Sequence, residues 1–362
     1  MNELFDDEVE TIEVQGLEAI TQEVEAVKAD LADRATFIGG SDAPAIINVS
    51  PWKSRVKLWR EKTGKDPVDN LDDVERVMAG KLMEDVIGRL YTWKYGIKLR
   101  RINERVPMKD AEFPAAAQLD RKVEGLRKII EIKNVDISQK AKWGEPDSAE
   151  CPVYYYTQIE HQLMCSRYDE AEAVPFFGGN TVERRFVARS DEFIDNLYAA
   201  EYEFWKLVQQ DIPPEPMTDD EACLIWTNPQ ESKVSAEAIA AHLVGYIQAG
   251  KDQIKTIERR EGLARLMLMR MMENLGDTLT VGGKPVCTWK PQTTKSFDLD
   301  GFRKAHPELV AWYAKESTTR VFRLSKAGKE TKPDMAMVEQ ALVEMEAEAY
   351  PAGSETEEGA DE

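Results

Sequence analysis

The sequence predicts an α/β (α+β) protein: a central mixed β-sheet flanked by helices, followed by a mainly helical C-terminal extension. Three observations predict it. The run Ile129-Ile-Glu-Ile-Lys133 alternates apolar and charged residues after a Glu124-Gly125 turn, as the second strand of a hairpin does. Residues 153–166 and 191–210 carry the apolar period of amphipathic helices. Between these helices, Glu172–Phe177 and Val182–Ala188 read as strands around a Gly178-Gly179-Asn180 turn. Strands that alternate with helices give a sheet covered on its faces.

At 362 residues the chain is long enough for one large domain or two ordinary ones. Punctuation divides it into an acidic segment (1–33), a core domain (34–216, closed by Ile212-Pro-Pro-Glu-Pro216), an α+β extension (217–325) and an acidic tail (326–362). The net charge of −20 argues at first against a nucleic-acid partner. Its distribution removes most of that objection. Residues before Arg34 carry −10 and those from Val343 onward −8, which leaves −2 for 34–342. Within that body lie two basic clusters, Lys53, Arg55, Lys57, Arg60, Lys62, Lys65 and Arg89, Lys94, Lys98, Arg100, Arg101, Arg105. They permit DNA binding and equally fit a solvated surface. No apolar run approaches the ~18 residues of a membrane span, and the acidic N-terminus has no signal-peptide pattern. Cys151, Cys165, Cys223 and Cys287 are widely spaced, which excludes a zinc, iron–sulfur or dense disulfide framework and fits a reducing cytoplasm.

In chain order, Val9 to Leu31 has partial helical periodicity. Gly39-Gly40 forms a loop, Ser41 or Asp42 caps a helix, and Pro44 fits its first turn. The N–H groups of such a helix start suit an anion, and Arg34 can complete a phosphate pocket. An ordinary capped helix is the plainer reading. Val56–Thr63 is a short basic helix, and Asn70–Asp73 opens a long one running to about Tyr95. Glu84 shares a face of that helix with Gly80 and Gly88. Two interior glycines cost about 1 kcal/mol each relative to alanine, so a bare face predicts close approach of metal, backbone or DNA. Ile97–Pro107 is a basic strand. The hairpin follows, with Asp120 brought to Glu131 and Lys133. Two carboxylates and a lysine on one sheet face make a divalent-cation site, and carboxylates suit Mg²⁺ or Mn²⁺. The lysine can orient or deprotonate a water. By itself the pattern also fits a solvated charged hairpin. Ser138–Glu150 reads as a polar loop around Trp143. On the helix that Pro152 opens, Tyr155, Gln158 and Gln162 share a face, and their amides can position a water or a phosphate oxygen. His161 reads as a packed histidine rather than a ligand. Beyond 217, Ala236–Asn274 is a long helix whose Met267–Met272 cluster reads as core or interface. Strands are expected at Thr278–Val281, Pro285–Lys290 and Arg320–Leu324. Further helices are expected at Asp298–Ala314, with Pro307 as a break, and at Met335–Glu348.

The ordered set Arg34…Gly39-Gly-Ser41, Gly80-Lys-Leu-Met-Glu84, Gln118-Leu-Asp120, Glu131-Ile-Lys133 and Gln158-Ile-Glu-His-Gln162 resembles the YqaJ-like viral recombinase family, relatives of phage lambda exonuclease within the PD-(D/E)xK nucleases. The resemblance covers about 34–210, and 236–325 is similar to the C-terminal extension of some phage members. It implies a restriction-endonuclease-like core. It further implies that Glu84, Asp120, Glu131 and the Ile132 carbonyl ligate two Mg²⁺ (or Mn²⁺) ions. Lys133 then helps activate water, beside the helix glutamine Gln158. Arg34, Ser41, Gln118 and, more weakly, Gln162 match the family's 5′-phosphate pocket. The family's usual Ser-Pro-Asp-Gly is here Gln118-Leu-Asp-Arg121, so Gln118 replaces a pocket hydroxyl. The implied activity is Mg²⁺-dependent 5′→3′ digestion of double-stranded DNA ends in a bacterial cytoplasm. It leaves 3′ overhangs for a single-strand annealing partner, with a homotrimer as the family's assembly. A related endonuclease or nickase, or a non-catalytic end-binding protein, is the alternative.

Overall fold

The structure is a computed structural model that describes residues 33–69, 74–102, 105–227, 233–314, 322–324 and 332–349. The expected helix over 9–31, the helix onset at 70–73, residues 320–321 of the expected last strand and the end of the acidic tail lie outside them. The chain divides into two compact units, the first running to Ile225 and the second spanning Trp226–Met345. Residues 217–225, read as the start of the extension, therefore belong with the first unit.

The first unit is built on a six-stranded mixed sheet in the order β2 (Leu99–Arg101), β5 (Arg121–Val123), β6 (Lys128–Val135), β7 (Glu170–Phe177), β8 (Thr181–Val182), with β9 (Arg185–Ala188) also paired to β7. The β5–β6 hairpin is antiparallel, with Arg121 opposite Ile130, and turns through Gly125 at a positive φ of 80°. β6 and β7 are parallel, with Glu131 level with Ala173. That pairing requires a crossover, which helix α4 (Val153–Ser166) supplies. A small second sheet sets β4 (Ala115–Ala117) between β1 (Ile38–Gly39) and β3 (Val106–Pro107). The single basic strand expected over 97–107 is thus two strands in different sheets.

Both faces of β6 are covered, which is why it is nearly continuous in burial. Ile130 and Ile132 pack with Ile87 and Tyr91 of helix α3 (Glu75–Tyr95). On the other face Ile129 joins the larger core of Ile159, Leu163, Phe177 and Phe204, from α4, β7 and helix α5 (Asp191–Gln210). The α3 helix ends where the sequence requires, at Gly96 with a left-handed φ of 70°. Residues 138–143 are not a polar loop. They belong to a 3-10 helix, Ile137–Trp143, because Trp143 is buried against Tyr155 and Phe177. The fully buried Arg185 holds that segment down, donating to the carbonyls of Trp143 and Gly144 and to Glu183. His161 is packed as expected. It is fully buried, with Nδ1 2.7 Å from Glu201 Oε1 and Nε2 3.3 Å from the Ala116 carbonyl.

The second unit contains the long helix α7 (Ile239–Met272) and an antiparallel hairpin of β10 (Thr278–Val281) and β11 (Lys284–Thr288). Pro307 does break the expected helix, ending one at Ala305 and opening the next as its first residue. Residues 322–324 form no strand. No described helix is long and apolar enough to cross a membrane.

Candidate active site

Strand β6 carries the centre. Its alternation turns Ile130 and Ile132 toward α3, and so turns Glu131 and Lys133 toward α4. Continuing the β5–β6 register one step past Arg121 sets Asp120 opposite Glu131. Asp120 fixes this end of the hairpin with its own side chain, Oδ2 accepting the Ile132 N–H at 2.8 Å. Glu131 Oε1 then accepts from Lys133 Nζ and from Gln158 Nε2, each at 2.6 Å. Its Oε2 accepts from Gln162 Nε2 at 2.8 Å, and Lys133 also reaches Gln158 Oε1 at 3.2 Å. Gln158 and Gln162 are one helical turn apart on α4, so one helix face grips one carboxylate from two positions. Gln162 also donates to the Gln118 carbonyl at 3.3 Å, while its Oε1 is buried without a partner among the described residues. Tyr155, the third member of that face, has Lys133 Nζ 5.0 Å over its ring.

The electrostatics are those of crowded carboxylates. Burial raises the pKa of Asp120 well above the usual carboxylate range, and the neighbouring charges of Glu131 and Glu84 add to the rise. Burial acts to lower the Lys133 pKa, but Glu131 and Asp120 outweigh it and hold the ammonium protonated. A divalent cation is the species that relieves such crowding. The donors, carboxylate oxygens beside a strand carbonyl, are hard ligands of the kind Mg²⁺ and Mn²⁺ take.

Glu84 is placed differently. It sits on α3, bonded to the guanidinium of Arg121, which also binds Asp85. Among the described residues no three His, Cys, Asp or Glu side chains stand grouped to hold a metal ion. The bare face beside Glu84 also has a different occupant from that expected. A Cβ at Gly88 would meet Arg121 Nε at 3.6 Å and Ile132 Cδ1 at 3.8 Å, whereas Gly80 faces nothing within 4 Å. Arg121 is the functional residue that sequence reasoning passed over. Its signal was a cation directly after a candidate ligand, with a glycine on the facing helix.

The expected anion pocket is also altered. Helix α1 (Ala43–Ile46) is only four residues long, and Asp42 makes no side-chain cap. Instead the buried Asp42 pairs with Lys62 at 2.7 Å and accepts the Gly39 N–H at 3.0 Å. Asp42 is thereby turned inward and compensated by Lys62. Lys62 further donates to the carbonyls of Arg34 and Phe37. Ser41 is exposed, and Gly40 lies against α4, where an added Cβ would stand 3.3 Å from Gln158 Cγ. Gly40, next to Ser41, is thus the point of this stretch that touches the amide face, and Arg34 lies ahead of β1. Much of the first basic cluster is internally paired: Lys53 with Glu61, Arg60 with Asp66, Lys65 with Asp211.

Residues 31–169 match the family model of the YqaJ-like viral recombinase domain. The match covers less than half of the chain. All the site residues described above fall inside the matched segment. The YqaJ protein of Bacillus subtilis (strain 168) is 32% identical over 177 residues, 48% of this chain and 54% of the relative. The chain thus spans about half the length of that relative. Among solved structures, the alkaline exonuclease LHK-Exo of Laribacter hongkongensis is similar over 50% of this chain and 92% of its own, at 15% identity and a TM-score of 0.41. A phage-related exonuclease from Haemophilus somnus 129PT is similar over 48% and 96%, at 16% identity and a TM-score of 0.32. Within the matched segment, the centre lies where β5, β6, α3 and α4 converge.

Proposed function

We propose that this protein is a metal-dependent deoxyribonuclease that digests double-stranded DNA from its ends, 5′→3′, and leaves 3′ overhangs for a single-strand annealing partner. The observation that carries this reading is the Asp120–Glu131–Lys133–Gln158 constellation, a buried acidic pair with a fixed ammonium inside a YqaJ-like viral recombinase domain. Asp120, Glu131 and the Ile132 carbonyl would hold Mg²⁺ or Mn²⁺. When bound, such an ion supplies charge stabilisation at the phosphodiester and acidifies water. Lys133 holds a positive charge beside Glu131, where it can bind a phosphate oxygen or orient the attacking water. Gln158 and Gln162 fix the rotamer of Glu131 from α4. Arg34, Ser41 and Gln118 would contact the 5′ end. Arg89, Lys98 and Arg100, all exposed, would follow the DNA backbone without reading sequence. Trp52, 62% exposed and edge-on to Tyr154 at 4.9 Å, offers an aromatic face close to Tyr155 and Lys133.

The test is digestion of linear duplexes bearing 5′-phosphate, 5′-hydroxyl or blocked ends, with and without Mg²⁺, against closed circles. The proposal expects Mg²⁺-dependent loss of linear DNA, fastest from 5′-phosphate ends. It also expects Arg34→Ala to remove the phosphate preference. Cleavage of closed circles would convert the reading to an endonuclease or nickase. End binding without cleavage would leave only an end-binding protein.

A further inference from the structure

Arg121 is almost wholly buried, 5% exposed, and its donors are spent on the centre. Nη1 bonds Glu84 Oε1 and the Asp120 carbonyl, the latter at 2.6 Å, and Nη2 bonds Asp85 Oδ1. Asp85 has a second, longer contact with Arg101 at 3.7 Å. A guanidinium stays charged in a protein, and its planar fork suits paired carboxylates. The seat is made by a glycine on the facing helix. Gly88, one turn along α3 from Glu84, leaves its bare backbone facing both the Arg121 Nε and the Ile132 Cδ1. Were Glu84 to leave for a metal ion, the buried Arg121 would lose one of its two carboxylate partners and face a divalent cation at short range, which is repulsive.

We infer that Arg121 is a built-in cation standing in for a second metal ion. The centre takes one divalent ion, on Asp120, Glu131 and the Ile132 carbonyl, while Glu84 is held by Arg121 and does not coordinate. This rests on the reading of Asp120 and Glu131 as cation ligands and revises the expected two ions to one. It accounts for the absence, among the described residues, of a three-carboxylate group. Arg121 is in this role a positioning residue. It touches no reacting atom and sets the charge and the ligand count of the site.

The test is calorimetric titration of the full chain with Mn²⁺ alone, without DNA, so that the readout is stoichiometry rather than cleavage. The wild-type chain is expected to bind one Mn²⁺. Arg121→Gln, which frees Glu84, is expected to bind two, and Arg121→Gln with Glu84→Gln to return to one. Arg121→Lys keeps the charge and stays at one. Two ions in the wild-type chain, or one in Arg121→Gln, overturn the inference alone, whereas no Mn²⁺ binding in the wild-type chain overturns the metal reading beneath it. Should Arg121→Gln not fold, Glu84→Gln in the wild-type background decides. Mn²⁺ affinity unchanged supports the inference, and a loss of about 10-fold or more, the size of a lost ligand or its support, overturns it.

Discussion

Gln162 donates to Glu131 Oε2 at 2.8 Å from inside the α4 helix, with only 2% of its surface exposed. It is therefore a support for the carboxylate and is out of reach of solvent. Gln162→Leu removes that bond and leaves Glu131 held through Oε1 alone, by Lys133 and Gln158, so cleavage should fall by about 10–100-fold, the usual loss for a group that orients a ligand. Affinity for a DNA end should change little, because the residue is enclosed. Steady-state digestion and end-binding measurements on the same variant check both halves, and equal losses would show that Gln162 holds DNA instead.

Lys133 supplies the one ammonium bonded directly to Glu131 among the described residues. Lys133→Ala should lower cleavage by about 10²–10⁴-fold, the range for a lost group that moves or positions a proton. Binding to a duplex end should persist. Glu131→Gln should act the same way. Full activity in either variant would remove this centre from consideration.

His161 gives a pH signature in stability. Burial disfavours its charged form, but Cys165 and Glu201 outweigh burial and hold its pKa well above the ordinary histidine value. Both ring nitrogens face acceptors, Glu201 and the Ala116 carbonyl, as an imidazolium requires. The folded pKa is raised, so the stabilisation is fully present below the unfolded value of about 6.5 and is lost as pH rises through the folded value. Thermal unfolding followed upward from pH 6 should show that decline. The double variant His161→Gln with Glu201→Gln, neutral at both positions, should lack it. An unchanged slope would mean that the pair is not ionised.

Arg185 fastens the Trp143 segment to the sheet through two carbonyls and Glu183, fully out of solvent. Glu183 keeps its bond to Lys140, but the carbonyls of Trp143 and Gly144 lose their charged donor. Arg185→Ala should therefore cost about 2–4 kcal/mol in denaturant unfolding, the loss left by two unsatisfied buried acceptors. A loss below about 1 kcal/mol would show that water replaces the guanidinium. The variant should also loosen the Tyr155 wall, which Trp143 packs against at 5.2 Å.

The part of this protein that was legible in its sequence is the part governed by local period and turn chemistry. The β5–β6 hairpin, with its Glu124-Gly125 turn, follows from alternation, and helix 191–210 was read with its observed ends. The amide face of α4 was legible because Gln158 and Gln162 are a helical turn apart. What was not legible depended on partners far away in the chain. A tryptophan among polar residues looks like a loop until Phe177 and Arg185 are seen to cover it. The capped helix at Asp42 was misjudged because its carboxylate serves Lys62, twenty residues away. Arg121 was visible only as a departure from a motif. Its meaning came from Glu84 and Gly88, which lie on a different element.

The parallel pairing of β6 with β7 has a temporal side. β6 leaves the ribosome before α4 and well before β7, yet its Glu131 is gripped by α4 and its backbone is completed by β7. Closing that crossover joins residues far apart in sequence, the slow kind of folding event. Assembly of the centre thus waits for the emergence of β7, and a nascent or prematurely ended chain that stops short of it has no completed Asp120–Glu131 cluster.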